Sequence, residues 1–259
     1  MNIKIVFFDF DRTLYDHRTH SISESTIKAI KLLKDNGIKV IINTGRSYYS
    51  LLSKDEVKEI GFDGYVVSNG GACIVEDKVI YAHYLPKEIS DKIIMFLEDN
   101  KVSYGITTLK ETYGKIFELG NVDRFYNTFD EPRSLDISLY NHDDVLRLTA
   151  FSFKETDEAI LEMCPNICLN RFFDVTSEMS VTQFVKKEGV ETILSYYGFS
   201  KDEAMAFGDD TNDIDMFNSV KYGICVGNGK DELKKVAYYV TEDINDNGIY
   251  KALLKFNII

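Results

Sequence analysis

The sequence lacks any apolar run that approaches the roughly eighteen consecutive residues of a membrane span. Its first residues, Met1–Lys4, lead directly into a predicted strand, without the charged region, apolar segment and cleavage site of a signal peptide. These absences predict a cytoplasmic protein that does not enter a membrane. Apolar residues still make up 44% of the 259 residues, enough for the core of one large domain or two smaller ones.

Cysteine is also scarce. The chain has only Cys73, Cys164, Cys168 and Cys225. Of these, Cys164 and Cys168 alone are closely spaced, and neither a second pair nor a nearby histidine completes a zinc site. We therefore expect free, buried thiols in a reducing compartment.

Positive charge is in the minority, because 30 Lys and Arg face 42 Asp and Glu, for a net charge of −12. This charge repels a nucleic-acid backbone, so we expect no nucleic-acid partner. A small phosphorylated metabolite remains a suitable partner if a metal ion and local cations reverse the charge inside one pocket. The sequence leaves the oligomeric state undefined.

Strands and helices alternate in the first and last thirds of the chain. The apolar pattern predicts buried strands at Ile3–Phe8, Ile38–Ile42 and Ala204–Phe207, and helices at Ser23–Asn36 and Glu188–Tyr197. This alternation is typical of an α/β protein with a parallel sheet and right-handed crossovers.

The middle third has a different pattern, with two predicted helices, Ile89–Asp99 and Glu155–Met163. Its extended runs are Val102–Thr107, Leu135–Tyr140, Leu146–Phe153 and Ile167–Thr176. Helices set against several strands predict a separate α+β unit at residues 82–185, inserted into a sheet domain made of residues 1–81 and 186–259.

Two of the predicted strands end in clusters of carboxylates. Asp9 and Asp11 follow the first strand, and Asp209, Asp210 and Asp213 follow the strand at 204–207. Such carboxylates repel one another unless a cation lies among them, so the pattern predicts a divalent metal site built from both ends of the chain. One carboxylate of the first pair could ligate the metal and attack, while its neighbour handles a proton.

Two alternatives compete with this interpretation. The first alternative is a calcium loop that starts at Asp9. It fails, because such a loop needs Gly at the sixth position and Glu at the twelfth, where the chain has Leu14 and His20. A role of the aspartates in helix capping or turns stays open.

Two further segments offer groups that can bind a phosphoryl anion. Thr44 and Gly45 lie between a strand and a helix, where a hydroxyl and free amides form an anion site, although a simple cap and turn is the alternative. Lys186 and Lys187 precede a predicted helix. A lysine there could reach the acidic cluster, or both could be a solvated helix end.

Together these segments resemble the haloacid dehalogenase (HAD) superfamily, over nearly the whole chain. The motifs that carry the resemblance are Asp9-x-Asp11-x-Thr13, Thr44-Gly45-Arg46, the lysine, and Gly208-Asp209-x-x-Asn212-Asp213. Ser68-Asn69-Gly70, the insert and Asp246-Asn247-Gly248-Ile249 resemble its Cof-type phosphatase branch. The resemblance implies a Rossmann-like parallel sheet core with an inserted α+β (C2-type) cap. It also implies a Mg²⁺-dependent phosphatase that acts on small metabolites, with sugar phosphates as the substrate class.

The resemblance also implies roles for single residues. Asp9 would be the nucleophile and Asp11 the general acid and base. Asp9, Asp209 and the Asp11 carbonyl would ligate Mg²⁺, with Asp213 supporting the metal shell.

The phosphoryl group would be bound by Thr44, Gly45 and the lysine, and Asn212 would contact phosphate or orient the lysine. Counting back from Gly198 favours Lys186 over Lys187 as that lysine.

The chain departs from the family pattern at Arg12 and Asp210, where many members have glycine, and neither departure removes a catalytic group. A phosphomutase on the same scaffold is an alternative function. A non-catalytic signalling domain that accepts phosphate on Asp9 is another, although such a domain needs neither the insert nor Asp11.

Overall fold

The computed structural model describes residues 1–172 and 174–259. They form two compact units. The first unit consists of Met1–Arg46, Lys54–Tyr81 and Val185–Ile259, and the second of Ser47–Ser53 and Ala82–Phe184. The segment Ser47–Ser53, which the sequence pattern assigns to the sheet domain, therefore groups with the inserted residues.

The strands and helices of the described residues are numbered in chain order. The strands are β1 (Ile5–Phe8), β2 (Tyr15–Asp16), β3 (Ser21–Ile22), β4 (Lys39–Asn43), β5 (Gly64–Val67), β6 (Ala72–Val75), β7 (Lys78–Ala82), β8 (Ser103–Thr107), β9 (Thr112–Lys115), β10 (Leu135–Asp136), β11 (Arg147–Phe151), β12 (Cys168–Phe172), β13 (Thr176–Ser180), β14 (Ala204–Gly208), β15 (Tyr222–Cys225) and β16 (Tyr239–Val240). The helices are α1 (Glu24–Asp35), α2 (Tyr48–Leu52), α3 (Asp55–Ile60), α4 (Lys87–Asp99), α5 (Gly120–Phe129), α6 (Lys154–Met163), α7 (Lys186–Tyr197), α8 (Ile214–Asn218), α9 (Asp231–Val236) and α10 (Gly248–Lys255).

The first unit is built on an eight-stranded sheet in the order β16-β15-β14-β1-β4-β5-β6-β7. The strands from β16 to β5 are parallel, and β6 pairs antiparallel with β5. All residues of β1 and β14 are buried, as expected for central strands of a parallel sheet. The predicted α/β fold class is confirmed.

The register of β1 fixes where the site residues lie. Strand β1 lies between β14 and β4, and Phe8 is opposite Phe207 on one side and Ile42 on the other. The residues that follow these three strands therefore emerge together at the carboxyl edge of the sheet. Ligands bind at this edge in open parallel sheets.

Helix α7 packs unusually close to the sheet. Gly189 faces Val66 of β5, and a Cβ atom added at Gly189 would approach three side-chain atoms of Val66 more closely than 3.0 Å. Val190, Ile193 and Leu194 complete the buried face of the helix. Since α7 begins at Lys186, this close packing fixes the position of the Lys186 backbone.

The second unit contains a six-stranded sheet in the order β10-β9-β8-β11-β13-β12. Helices α4 and α6 lie where the sequence predicts helices. The run Ile167–Thr176, predicted as one strand, divides between the antiparallel partners β12 and β13, and its residue 173 lies outside the described residues.

The predictions for this unit fail at two places, since one helix was missed and one run was wrongly assigned to a single strand. Helix α5 was not predicted, because it begins without a side-chain cap and contains Gly120, two asparagines and three aromatic residues, all weak helix formers. The run Leu135–Tyr140 is not one strand, since only Leu135–Asp136 pairs before a 3₁₀ turn at Ile137–Leu139.

The four cysteines are free, as expected, and Cys168 alone is only partly buried. Among the described residues, no helix has both the length and the apolar character to cross a bilayer.

We expect Gly189→Ala to lower the free energy of unfolding by up to about 2 kcal/mol in urea titrations. Overpacking against Val66 costs about 1–3 kcal/mol, and the gain from alanine in a helix offsets about 1 kcal/mol of this cost. Val66→Ala removes the two closest of the three Val66 atoms and should relieve most of the overlap, so the double variant should lose less stability than the sum of the single variants. Strictly additive losses would contradict the contact. Glu191→Ala on the exposed face of α7 is the control and should change stability little.

Candidate active site

Three carboxylates meet at the carboxyl edge of the sheet in the first unit. Asp9 directly follows β1, and its backbone N–H donates to the Phe207 carbonyl of β14 at 2.9 Å. Asp209 directly follows β14. One carboxylate oxygen from each of Asp9, Asp209 and Asp213 lies within 4.8 Å of the other two, and all three side chains are buried.

The turn that follows β14 holds Asp213 in place. Asp213 ends a 3₁₀ turn, and its Oδ2 accepts hydrogen bonds from the backbone N–H groups of Asp209 at 2.9 Å and Asp210 at 3.1 Å. A Cβ atom at position 208 would lie only 2.5 Å from the same Oδ2. Gly208 is therefore required for the carboxylate to lie against the end of the strand.

Lys186 is the cation of this cluster. Its Nζ lies 2.5 Å from Oδ1 of Asp9 and 2.6 Å from Oδ1 of Asp213, and its side chain is 1% exposed. Burial alone would lower the pKa of Lys186, but the carboxylates of Asp213 and Asp9 outweigh this effect and raise it. Lys187, in contrast, is half exposed and pairs with Glu191 on the surface at 3.7 Å.

One lysine does not neutralise three carboxylates. Burial raises the pKa of Asp9, and Asp213 and Asp209 add to the rise although Lys186 opposes it. Burial and Asp213 likewise raise the pKa of Asp209 to about 7, against the opposing charge of Arg12. The cluster therefore resists carrying its full negative charge unless another cation binds.

The donor set of the cluster fits a magnesium ion. Oδ2 of Asp209 is buried and accepts no hydrogen bond from the residues that the structure describes. Such an oxygen is available as a ligand, and closely placed carboxylate oxygens suit a hard divalent cation. Asp9, Asp209 and Asp213 are the residues that could hold it.

Asp11 lies outside this cluster and is held by a different group of residues. Arg46 donates to both of its oxygens, from Nη2 to Oδ1 at 2.7 Å and from Nε to Oδ2 at 2.9 Å, and Nε2 of His17 lies 2.8 Å from Oδ1. The Arg46 guanidinium also stacks near the rings of Phe10 and Tyr15. Burial favours a higher pKa for Asp11, but the contacts with His17 and Arg46 outweigh it and lower the pKa.

Sequence reasoning missed the contacts made by Arg46 and His17. The Thr-Gly-Arg motif includes Arg46, but a motif on a distant strand does not reveal that its side chain reaches Asp11. His17 lies six residues after Asp11 in a short hairpin, formed by β2 and β3, that was not predicted.

Three of the four predicted phosphate-binding residues, Thr44, Gly45 and Asn212, form a third group, whereas Lys186 lies in the carboxylate cluster. Thr44 follows β4, is buried, and accepts the Arg46 N–H on its hydroxyl at 3.1 Å. Gly45 packs against Asn69, since a Cβ atom at position 45 would lie 3.2 Å from both ends of the Asn69 amide. Asn212 donates to Oδ1 of Asn69 at 3.3 Å. Asn69 thus links Gly45 to Asn212.

A family model described as haloacid dehalogenase-like hydrolase matches residues 6–253. A Bacillus subtilis (strain 168) protein named "Putative phosphatase YkrA" is 29% identical, and the alignment covers 100% of both chains.

Solved structures are similar over almost the whole length as well. A hypothetical protein from Geobacillus kaustophilus HTA426 has a TM-score of 0.88 and 28% identity, covering 99% of this chain and 100% of that one. A HAD subclass IIB sugar phosphatase has a TM-score of 0.79 and 29% identity, with the same coverage. The chain therefore shares both sequence and fold with these proteins.

We expect the metal-free protein to melt at a higher temperature at pH 6 than at pH 8. Asp9 and Asp209 have raised pKa values in the folded state, so the folded state binds more protons than the unfolded state in this range, and stability falls as the pH rises. Mg²⁺ binds the ionised carboxylates, so it should raise the melting temperature more at pH 8 than at pH 6.

Asp209→Asn is the matched variant for this measurement. It removes one titrating carboxylate and one ligand, so both the pH dependence and the Mg²⁺ effect should become smaller. Differential scanning calorimetry with EDTA or with excess Mg²⁺ measures both. A melting temperature that does not respond to Mg²⁺ at either pH would contradict the metal site.

Proposed function

Because the chain belongs to the family of haloacid dehalogenase-like hydrolases and is a phosphatase, we propose that it cleaves phosphate monoesters of small metabolites with Mg²⁺ and through an aspartyl-phosphate on Asp9. The observation that carries this proposal is the buried cluster at the sheet edge, in which Lys186 contacts Asp9 and Asp213 beside Asp209.

Asp9 is proposed as the nucleophile. A carboxylate that attacks phosphorus splits the reaction into two steps, formation and hydrolysis of an acyl phosphate. The attack brings two anions together, so positive charge must lie close to the attacking oxygen. Lys186, at 2.5 Å from Asp9, supplies one such charge.

Magnesium would be held by Asp9, Asp209 and Asp213, and when bound it neutralises charge on the phosphoryl group and on the attacking carboxylate. Asp213 has a second task, because one of its oxygens contacts Lys186 while the other is fixed by the backbone. This arrangement supports a fixed position for the Lys186 ammonium group.

Asp11 is proposed as the general acid and base. The hydrogen bonds from Arg46 hold its carboxylate in one orientation, and the lowered pKa favours the ionised form. An ionised Asp11 is suited to take a proton from the water that hydrolyses the acyl phosphate. After that step it would carry the proton needed by the next leaving group.

The substrate is proposed to be a sugar phosphate. The sugar phosphatase among the solved structures supports this class, and so does the Cof-type pattern of the sequence. We propose that the second unit serves as the cap that contacts the leaving group and excludes water. The phosphatase names favour hydrolysis over the phosphomutase alternative. A cytoplasmic location stays a prediction.

We expect Asp9→Asn to reduce the release of phosphate from p-nitrophenyl phosphate with Mg²⁺ by about a thousandfold or more, because the amide cannot act as the nucleophile. Its circular dichroism spectrum should match that of the unchanged protein. Asp99→Asn, at an exposed position in the second unit, is the control and should retain full activity. Substantial turnover by Asp9→Asn would refute the nucleophilic role.

Lys186→Ala and Lys187→Ala distinguish the two neighbouring lysines. We expect Lys186→Ala to lower kcat by about a hundredfold or more, because it removes a buried charge in contact with Asp9. The kcat of Lys187→Ala should stay within about twofold of that of the unchanged protein, since the exposed ion pair of Lys187 with Glu191 contributes little to stability. Steady-state kinetics measure both, and a larger loss at Lys187 would show that the wrong lysine has been assigned.

A further inference from the structure

Arg12 has a backbone conformation that suits glycine. Its φ is +61°, in the left-handed region, where a residue with a Cβ atom is strained. Hydrogen bonds on both sides fix this conformation: the Arg12 N–H donates to the Tyr15 carbonyl at 2.8 Å, and Asn228 donates from Nδ2 to the Arg12 carbonyl at 2.7 Å. The chain therefore keeps a large cationic side chain at a position where glycine would cost less free energy.

The side chain of Arg12 extends to Oδ2 of Asp209, the oxygen of the metal-site carboxylate that accepts no hydrogen bond from the described residues. Nε of Arg12 lies 3.4 Å from Oδ2 of Asp209, and Nη2 donates to the Asn228 carbonyl at 3.3 Å. Oδ2 of Asp209 accepts no hydrogen bond from the described residues, so the contact with Arg12 is one of charge. The Arg12 side chain is 50% exposed, which leaves it free to move away from the carboxylate.

The charges of the site show what this contact does. Asp9, Asp209 and Asp213 carry three negative charges when ionised, and Lys186 offsets one of them, which leaves two for a divalent cation. Arg12 offsets a further charge at the oxygen that is otherwise available to the metal. A magnesium ion then enters a site that is one charge less negative, beside the Arg12 guanidinium.

We propose that Arg12 is a built-in counter-ion of Asp209 that competes with Mg²⁺ and weakens its binding. This inference rests on the proposed metal site. It makes Arg12 a positioning residue that sets the magnesium concentration at which the site becomes loaded, without contact between Arg12 and the reacting atoms.

The test is calorimetric titration of the full chain with MgCl₂ at low ionic strength. We expect Arg12→Gln to lower the Kd for Mg²⁺ by about tenfold to thirtyfold, the order expected for one unit charge acting on a divalent ion about 4–6 Å away in an aqueous setting. Arg12→Lys keeps the charge, so its Kd for Mg²⁺ should stay within about twofold of that of the unchanged protein. The difference between Arg12→Gln and the unchanged protein should shrink as salt is added, which a purely structural role would not produce.

Arg12→Gly is the second variant, because glycine adopts the left-handed conformation without strain and should fold even if glutamine is poorly tolerated. It should bind Mg²⁺ as tightly as Arg12→Gln. Equal or weaker Mg²⁺ binding by both variants, when the unchanged protein binds the ion and Asp209→Asn does not, would overturn the role of Arg12 alone. Absence of Mg²⁺ binding in every variant and in the unchanged protein would overturn the metal site and this inference together.

Discussion

The buried contact of Lys186 with Asp9 and Asp213 is the interaction on which the rest of the site depends. A fully buried ammonium group is stable only with anionic partners, and each of these buried carboxylates would be costly without it. The contact joins the end of β1, the start of α7 and the turn after β14. The three segments are far apart in sequence, so this ion-pair network ties the site to the correct assembly of the sheet.

Glycine permits the close approaches that this network requires. Gly189 lets α7 lie directly against β5, and Gly208 lets the Asp213 carboxylate lie against the end of β14. A larger side chain would collide with Val66 at position 189 and with the Asp213 carboxylate at position 208. The precision of the site therefore comes partly from glycines that perform no chemistry, one in direct contact with the Asp213 carboxylate and one on the far side of α7, against β5.

The sequence predicts the architecture and the acidic cluster well, because both depend on local patterns. Apolar strands alternate with helices, and strands that end in aspartates identify the carboxyl edge of a parallel sheet. Contacts between distant side chains are less predictable. No local sequence pattern indicates the hydrogen bonds that Arg46 donates to Asp11. The strained backbone of Arg12 is only partly predictable, since one of the two hydrogen bonds that fix its left-handed conformation comes from an asparagine more than two hundred residues away. Helix α5 was missed because weak helix formers are stabilised there by tertiary packing.

The position of β1 between β4 and β14 has a consequence for biosynthesis. Residues 1–46 leave the ribosome early, but β14 follows only after the whole insert has been made. Until then one edge of β1 has no partner strand, and an apolar, unpaired edge is prone to aggregate. The nascent chain also lacks Lys186, Asp209 and Asp213 during this interval, so Asp9 has neither its cation nor its companion carboxylates. Chemical competence therefore arises only after residues 186–213 have been synthesised.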